Sequence, residues 1–297
     1  MPNHKKREMK QNIAIQGYQG SYHDAAAASY FEDQDYNILP APSFEVLADL
    51  LQQGKADKAV MAIENSIAGT ILPNYRILRE RNFWIEGEIY RPIHHQLMVN
   101  AGVELADIRE VHSHPMALQQ CSNFLSRFLP GVKWVETEDT ALSASILSAD
   151  GDRTRAVIAS QRAADLYDLS IIGHNIENNA HNFTRFFILS AQPQELSHVD
   201  KVSAYLTVPD EKGRLLHVLQ HIYDHQMNLS KLQSFPVPGK FRAYFFHLDI
   251  EFDLLSDYYQ LSSALRTITT EYKELGMYKR AHDAVEAQIE SLQMSML

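Results

Sequence analysis

The chain has 297 residues, 45% of them hydrophobic and 22% charged. That is the balance of a globular protein long enough for two domains. A formal net charge of -10 excludes a protein that holds nucleic acid by neutralising phosphates, while a local site for a small anion stays open. The single cysteine, Cys121, excludes an internal disulfide framework and a cysteine-based zinc site, and fits a reducing cytoplasm. The basic opening "MPNHKKREMKQN" has no apolar stretch behind it, so it does not read as a secretory signal, and no apolar run is long enough to span a membrane. A soluble, cytoplasmic protein is expected.

In chain order, a short strand over 12–16 runs into the glycine turn "GYQGSY" and the helix "HDAAAASYF". A second strand over 37–40 precedes a helix opened by Ser43 as its N-cap, with Phe44, Leu47, Leu50 and Leu51 on one face. "KAVMAIEN" is a buried strand by its apolar run, and "ILPNYRILRE" a helix. Strands alternating with helices predict a mostly parallel α/β sheet. The rhythm changes at "FWIEGEIYRPIHHQLMV", with two β-type runs. Further α/β units follow, with strands at "VKWVET" and "RAVIAS" and helices beginning near Pro115 and at "DTALSASILSA" and "QRAADLYDL". "NFTRFFIL" then returns as a buried strand. The segment from about Pro92 to Ser170 thus forms one lobe between two pieces of another. After a polar stretch near 193–199 the order becomes β-α-β-β-α-β, the ferredoxin-like arrangement, with "GMYKRAH" as its last strand.

Four stretches carry candidate chemistry. The turn "GYQGSY" points free backbone N–H groups toward a helix N-terminus and adds the Ser21 hydroxyl, which suits an anion. It equally fits a plain tight turn, and its spacing is neither the dinucleotide fingerprint nor a Walker loop. "AIENSIAGT" puts Glu64, Asn65 and Ser66 at the C-terminal end of a strand, where open α/β sheets bind ligands; an Asn/Ser turn is the plainer alternative. The histidines of "IHHQLMV" and "HSHPMALQQC" lack a metal-binding spacing such as HExxH, so a ring N–H donating to a ligand or to a backbone carbonyl is the better reading. In "NNAHNFTRFFILS", Asn182, Thr184 and Arg185 are donors at the mouth of an apolar strand. Arg185 either pairs with an internal carboxylate or meets an anionic ligand. Cys121 reads as packing within a helix, and no nucleophile elbow is present.

Taken in order, "GYQGSY", "AIENSIAGT", "IHHQLMV", "SHPMALQQC", "DTALSA", "AVIAS" with "AADLYDL", and "NFTRFFIL" resemble prephenate dehydratase, followed by an ACT-type regulatory domain. The resemblance implies an α/β, two-lobed, type-2 periplasmic-binding-protein-like catalytic domain over 11–192, with lobe A about 11–90 and 172–192 and lobe B about 91–171. An α+β ferredoxin-like ACT domain over 200–284 follows. It implies conversion of prephenate to phenylpyruvate, with loss of water and carbon dioxide, in phenylalanine biosynthesis and without a cofactor or metal. By the same resemblance Thr184 meets the leaving hydroxyl, and Gln19, Ser21, Asn65, Ser66, Thr140, Asn182 and Arg185 serve the substrate. Successive strand residues face opposite ways, so Arg185 is expected to fix the wall or reach a carboxylate only from the rim.

In the ACT segment Gly213, Leu215, Gln233 and Ser234 fall on the family's phenylalanine-sensing positions. Gln233 and Phe235 stand where the family has glutamate and arginine, so weaker or altered phenylalanine feedback is expected. ACT domains pair side by side, which implies a homodimer or homotetramer. The roughly ten residues before the first strand are too few for a chorismate mutase segment, so a monofunctional enzyme is expected. Arogenate dehydratase, a non-catalytic sensor of aromatic acids and a metal-dependent hydrolase are the rival readings, with prephenate expected as the better substrate.

Overall fold

The computed structural model describes residues 10–281 except 33, 195, 238 and 240–242. Residues 1–9 of the basic opening segment, the amphipathic tail and the last expected residues of the ACT segment lie outside the described residues. Two compact units divide the chain: residues up to Ile77 with Ile89–Phe186, and Leu78–Glu88 with Phe187 onward.

The first elements are β1 (Gln11–Gln16), α1 (Tyr22–Tyr30), β2 (Tyr36–Ala41), α2 (Phe44–Gln52), β3 (Lys58–Asn65), β4 (Gly69–Thr70), α3 (Leu72–Arg81) and β5 (Trp84–Pro92). With β11 (Phe183–Ser190) they build a mixed sheet of order β2-β1-β3-β11-β5, with β4 beside β3. β1 pairs parallel with both β2 and β3. Val60, Met61 and Ile63 on β3 and Phe186 to Leu189 on β11 are almost wholly buried. Such unbroken apolar runs mark strands covered on both faces.

A second sheet, of order β10-β6-β9-β7-β8, comes from β6 (Gln96–Val99), β7 (Glu110–Ser113), β8 (Lys133–Glu136), β9 (Arg155–Ala159) and β10 (Ser170–Gly173). Its helices are α4 (Pro115–Gln120), α5 (Ser122–Phe128), α6 (Thr140–Asp150) and α7 (Gln161–Tyr167). The single helix expected from Pro115 is broken at Cys121, which caps α4 and opens α5. The thiol is fully buried, and burial pushes its pKa far above the ordinary value, so it packs and does not react.

The C-terminal elements are β12 (Lys201–Thr207), α8 (Arg214–Asp224), β13 (Asn228–Pro236), β14 (Tyr244–Glu251), α9 (Leu255–Ile268) and β15 (Glu271–Tyr278). Their antiparallel sheet has order β13-β14-β12-β15, the ferredoxin-like topology. The last strand begins five residues before the expected one. β12 sets its register, pairing Thr207 with Glu271 and Lys201 with Tyr278. Gly276 lies at the bulge, where a Cβ would fall 2.1 Å from the Ile85 carbonyl oxygen, so only glycine fits. Two α/β sheets and a C-terminal α+β sheet are the fold class expected. Among the described residues no helix is long and apolar enough to cross a membrane.

Candidate active site

A cavity of about 550 Å³ lies in the first unit, where β3 ends and β11 and several helices begin. The sequence builds it with caps. Ser21 accepts the Asp24 N–H to open α1, Ser43 the Val46 N–H to open α2, and Asp139 the Leu142 N–H to open α6. All three caps line the cavity, so three helix N-termini direct their positive ends at it. That matters because the lining holds no lysine or arginine, while Glu45, Glu138 and Asp139 contribute carboxyls. Burial pushes the Asp139 carboxyl above its usual range, against hydrogen bonds from the Leu142 and Ala141 N–H groups. Both glycines of "GYQG" are required by close approach. A Cβ on Gly17 would meet Asp139 Oδ2 at 2.6 Å and one on Gly20 would meet Ala163 Cα at 2.9 Å, and both have φ near +87°, at +86° and +88°.

Thr184 and Phe186 face the cavity, while Arg185 between them turns the other way. Arg185 is buried, with its guanidinium 5.7 Å from the Tyr90 ring centre. The period of two along β11 thus separates the hydroxyl from the cation.

The Asn65 side chain fixes what Thr184 can do. Its Oδ1 accepts the N–H groups of Ile67 (3.0 Å) and Ala68 (2.8 Å), so its amide nitrogen must point the other way. That nitrogen finds Asn182 Oδ1 at 2.7 Å, Thr184 Oγ1 at 2.9 Å and the Phe183 carbonyl at 3.1 Å. Thr184 Oγ1 is therefore an acceptor from Asn65, and its own proton is left to give to the cavity. Asn182 is fully buried and also donates to Gln120 Oε1 at 3.3 Å.

From Gln120 the network continues. His95 Nε2 lies 2.8 Å from Gln120 Oε1, and His95 Nδ1 lies 2.7 Å from the Tyr22 hydroxyl. Burial lowers the His95 pKa, against the raising influence of Gln120 and Glu177. A neutral ring fits both contacts, donating to Gln120 and sharing the one Tyr22 hydroxyl proton with the His94 carbonyl, which lies 3.0 Å from that hydroxyl. His94, its neighbour, is turned to Glu177 at 2.7 Å. His23 is also neutral: burial drives its pKa down to about 3, and its Nε2 accepts the Ala62 N–H at 3.3 Å.

Of the residues expected at the site, Ser21, Asn65, Thr140 and Thr184 line the cavity, and Asn182 stands one layer behind. Ser66 does not line it. Its hydroxyl donates to the His181 carbonyl and accepts the Phe183 N–H, each at 2.9 Å, which staples β3 to β11. Gln19 and Arg185 also lie outside the lining, and the Gln19 carbonyl accepts the Tyr167 hydroxyl at 2.8 Å. Tyr22, Gln120 and Asp139 were not among the expected residues, and His95, a candidate ring N–H donor to a ligand or backbone carbonyl, meets the Gln120 side chain instead. Their signal was present in "GSYH", "IHHQ", "LQQC" and "EDTA", but spacing does not say which of two adjacent polar residues turns inward.

In the C-terminal unit Gly213, with φ +83°, opens α8 and borders a cavity of about 290 Å³, also walled by Leu215, Tyr244 and Phe246. Gln233 and Ser234 do not line it. Gln233 Nε2 donates to the Ser234 carbonyl at 3.1 Å. Phe235 stacks on Phe245, with ring centres 4.8 Å apart, and Arg79 sits 4.4 Å above the Phe245 ring.

A family model described as prephenate dehydratase matches residues 13–194. The bifunctional chorismate mutase/prephenate dehydratase of Enterobacter agglomerans is 33% identical over 273 residues, covering 90% of this chain and 70% of that protein. The chloroplastic arogenate dehydratase/prephenate dehydratase 2 of Arabidopsis thaliana is 31% identical over 280 residues, covering 90% and 72%. Among solved structures, the prephenate dehydratase of Arthrobacter aurescens in complex with L-Phe superposes with a TM-score of 0.81 at 27% identity, covering 96% of this chain and 99% of that one. GqqA, described as a novel type of quorum quenching acylase, gives 0.82 at 28% identity, covering 92% and 99%.

Proposed function

This chain belongs to the prephenate dehydratase family, and on that premise we propose that the cavity at β3 and β11 binds prephenate with Thr184 at its leaving hydroxyl. The enzyme converts prephenate to phenylpyruvate in phenylalanine biosynthesis. The observation that carries the site assignment is the spent and unspent valence of Thr184: Oγ1 accepts from Asn65, so its proton is free for the substrate.

The reaction balances without an oxidant or reductant. The bond from the ring to its carboxylate breaks and releases carbon dioxide. Those electrons aromatise the ring and expel the C4 hydroxyl, which leaves as water with one proton taken up. Aromatisation makes this downhill, so the protein has to orient the dianion and assist the departing oxygen. A positioned donor contributes about 10²–10⁴-fold, and a fixed reactive geometry contributes more. Thr184 is a poor acid by itself. The Asn65 amide polarises its oxygen and fixes its rotamer, so it serves as a strong hydrogen bond while solvent supplies the net proton. Helix N-termini at Ser21, Ser43 and Thr140 offer neutral recognition for carboxylates where cations are missing from the wall. The apolar side, with Ile71, Ile93 and Phe186, suits a carboxylate that leaves as a neutral gas.

Ser21 and Thr140 take part through the lining; Asn182 and Ser66 hold Asn65 and the strand ends; Gln19 and Arg185 fix the walls. An acylase reading would need a nucleophile with a base in reach. Thr184 instead has an amide nitrogen beside it, which cannot take a proton. Residues 11–192 form the catalytic domain and 200–284 the ACT domain, with 282–284 beyond the described residues. L-Phenylalanine binds at the Gly213 turn with reduced strength, because neither Gln233 nor Phe235 offers a charge. Exposed Leu216 and Tyr223 on α8 support pairing into a homodimer or homotetramer, in the cytoplasm. The test is phenylpyruvate formation from prephenate, against arogenate as the competing substrate. Turnover of prephenate with arogenate slower fits the reading, and turnover of arogenate alone would replace it.

A further inference from the structure

A second cavity, of about 320 Å³, lies in the same unit against the outer side of α1. Its walls include Tyr22, Ala25 and Ala28 of α1, Arg91 and Pro92 at the end of β5, and Arg162 of α7. Two arginines border it in different circumstances. Arg162 is tied to Asp24 through Nε at 2.6 Å and a terminal nitrogen at 3.1 Å. Arg91 makes no ion pair with any described residue, and its Nε is buried without a hydrogen-bond partner. The carboxylate in the wall, Asp165, accepts from Gln161 Nε2 at 2.8 Å, and His94 is held by Glu177. Burial also weakens the Arg91 cation relative to its ordinary state. A guanidinium partly removed from water, with an unspent donor, is costly unless an anion completes it.

We propose that Arg91 anchors a second binding site, distinct from the cavity at Thr184, for a small organic carboxylate. The planar guanidinium receives the carboxylate through parallel N–H donors. Ala25, Ala28, Pro92 and the Tyr22 ring cover the apolar body, which distinguishes the ligand from an inorganic anion. Tyr22 walls both cavities, and its hydroxyl meets His95 Nδ1. An occupant at Arg91 therefore presses on a residue whose other side belongs to the Thr184 network. The assignment does not depend on which reaction that network performs.

The test is calorimetric titration of the full chain with phenylacetate, a probe that combines a carboxylate with an apolar ring. Phenylacetate can also enter the larger cavity, so the variants separate the two. Arg91→Gln removes the anchor, Ala28→Leu fills the apolar wall without changing charge, and Asn65→Ala alters the Thr184 side at a residue outside the lining of the Arg91 cavity. The expected result is saturable binding in the wild type and in Asn65→Ala, weakened about tenfold or more in both Arg91→Gln and Ala28→Leu. Inorganic phosphate is expected to bind about tenfold more weakly than phenylacetate, lacking the apolar contact. Should Arg91→Gln not fold, Ala28→Leu decides by itself. Unchanged affinity in Ala28→Leu, loss in Asn65→Ala alone, equal affinity for phosphate, or no saturable binding in the wild type would each overturn the proposal.

Discussion

On β11 and β3 a hydroxyl, Thr184, sits beside an amide; on β12 and β14 another hydroxyl, Ser203, sits beside a carboxylate and an imidazole. By residue type the second cluster has more of the look of a catalytic centre. Ser203 Oγ is 2.6 Å from Asp249 Oδ1, and His247 Nε2 is 3.0 Å from the same oxygen. Yet its order is wrong for a serine–histidine nucleophile, since the carboxylate stands between the serine and the histidine and the imidazole does not reach the hydroxyl. Ser203 also meets the Tyr278 hydroxyl at 2.6 Å, and Ser203, His247, Asp249 and Tyr278 are each at most 1% exposed. Its hydrogen bonds join β12, β14 and β15, so the cluster ties strands of one sheet together. Thr184 keeps one bond unspent and faces a cavity. Access and free valence, more than residue type, distinguish a site from a buried network.

The comparison can be broken by substitutions that act on one cluster and leave the other alone. Asn65→Asp should have the largest effect. A carboxylate only accepts, so it takes the Thr184 proton instead of feeding the oxygen, and it repels a dianionic substrate. Prephenate turnover per folded molecule should fall about a hundredfold or more, and the urea midpoint should fall too, because Asn182 Oδ1 and the Phe183 carbonyl lose their donor. Ser203→Ala should lower stability alone. Leaving buried Asp249 and Tyr278 each a partner short costs about 1–3 kcal/mol of stability by urea unfolding, with turnover per folded molecule unaltered.

A smaller effect comes from pH. His23 has its pKa lowered from 6.5 to about 3 in the folded chain, so below pH 6.5 the unfolded state takes up a proton that the folded state refuses. This contribution to stability is complete above pH 6.5 and is lost progressively as pH falls toward 3. The loss amounts to about 2 kcal/mol by pH 5, and His23→Gln, which keeps an acceptor for the Ala62 N–H, should flatten that part of the profile. The smallest effect is expected in the C-terminal unit. Calorimetric titration with L-phenylalanine should show weak binding, strengthened several-fold, by about 1 kcal/mol, when Gln233→Glu restores a charge.

Much of this was legible in the sequence for stated reasons. Ser43, Pro115 and the apolar run at 58–65 mark their elements through capping, fixed φ and burial, which are local effects. The ordered motifs pointed to Thr184 and Asn65. What local reasoning could not reach was set by distant partners. β12 fixes the register of β15 and moves that strand forward. The orientation of Asn65 depends on the Ile67 and Ala68 N–H groups. Ser66, next along the chain, is drawn to His181 and Phe183, so adjacent residues of one motif do different work. Tyr22, His95 and Gln120 come from three separate stretches and acquire meaning only once the fold brings them into one chain of hydrogen bonds.

If the unspent proton of Thr184 assists the departing hydroxyl, Thr184→Val removes that assistance and little else. Valine keeps the branch and nearly the volume, so packing on β11 is preserved while the hydroxyl is lost. With prephenate as substrate and phenylpyruvate as readout, the account predicts a fall in kcat of about 10²–10⁴-fold, in a protein whose urea midpoint matches the wild type. A folded Thr184→Val that retains near-normal kcat would contradict it.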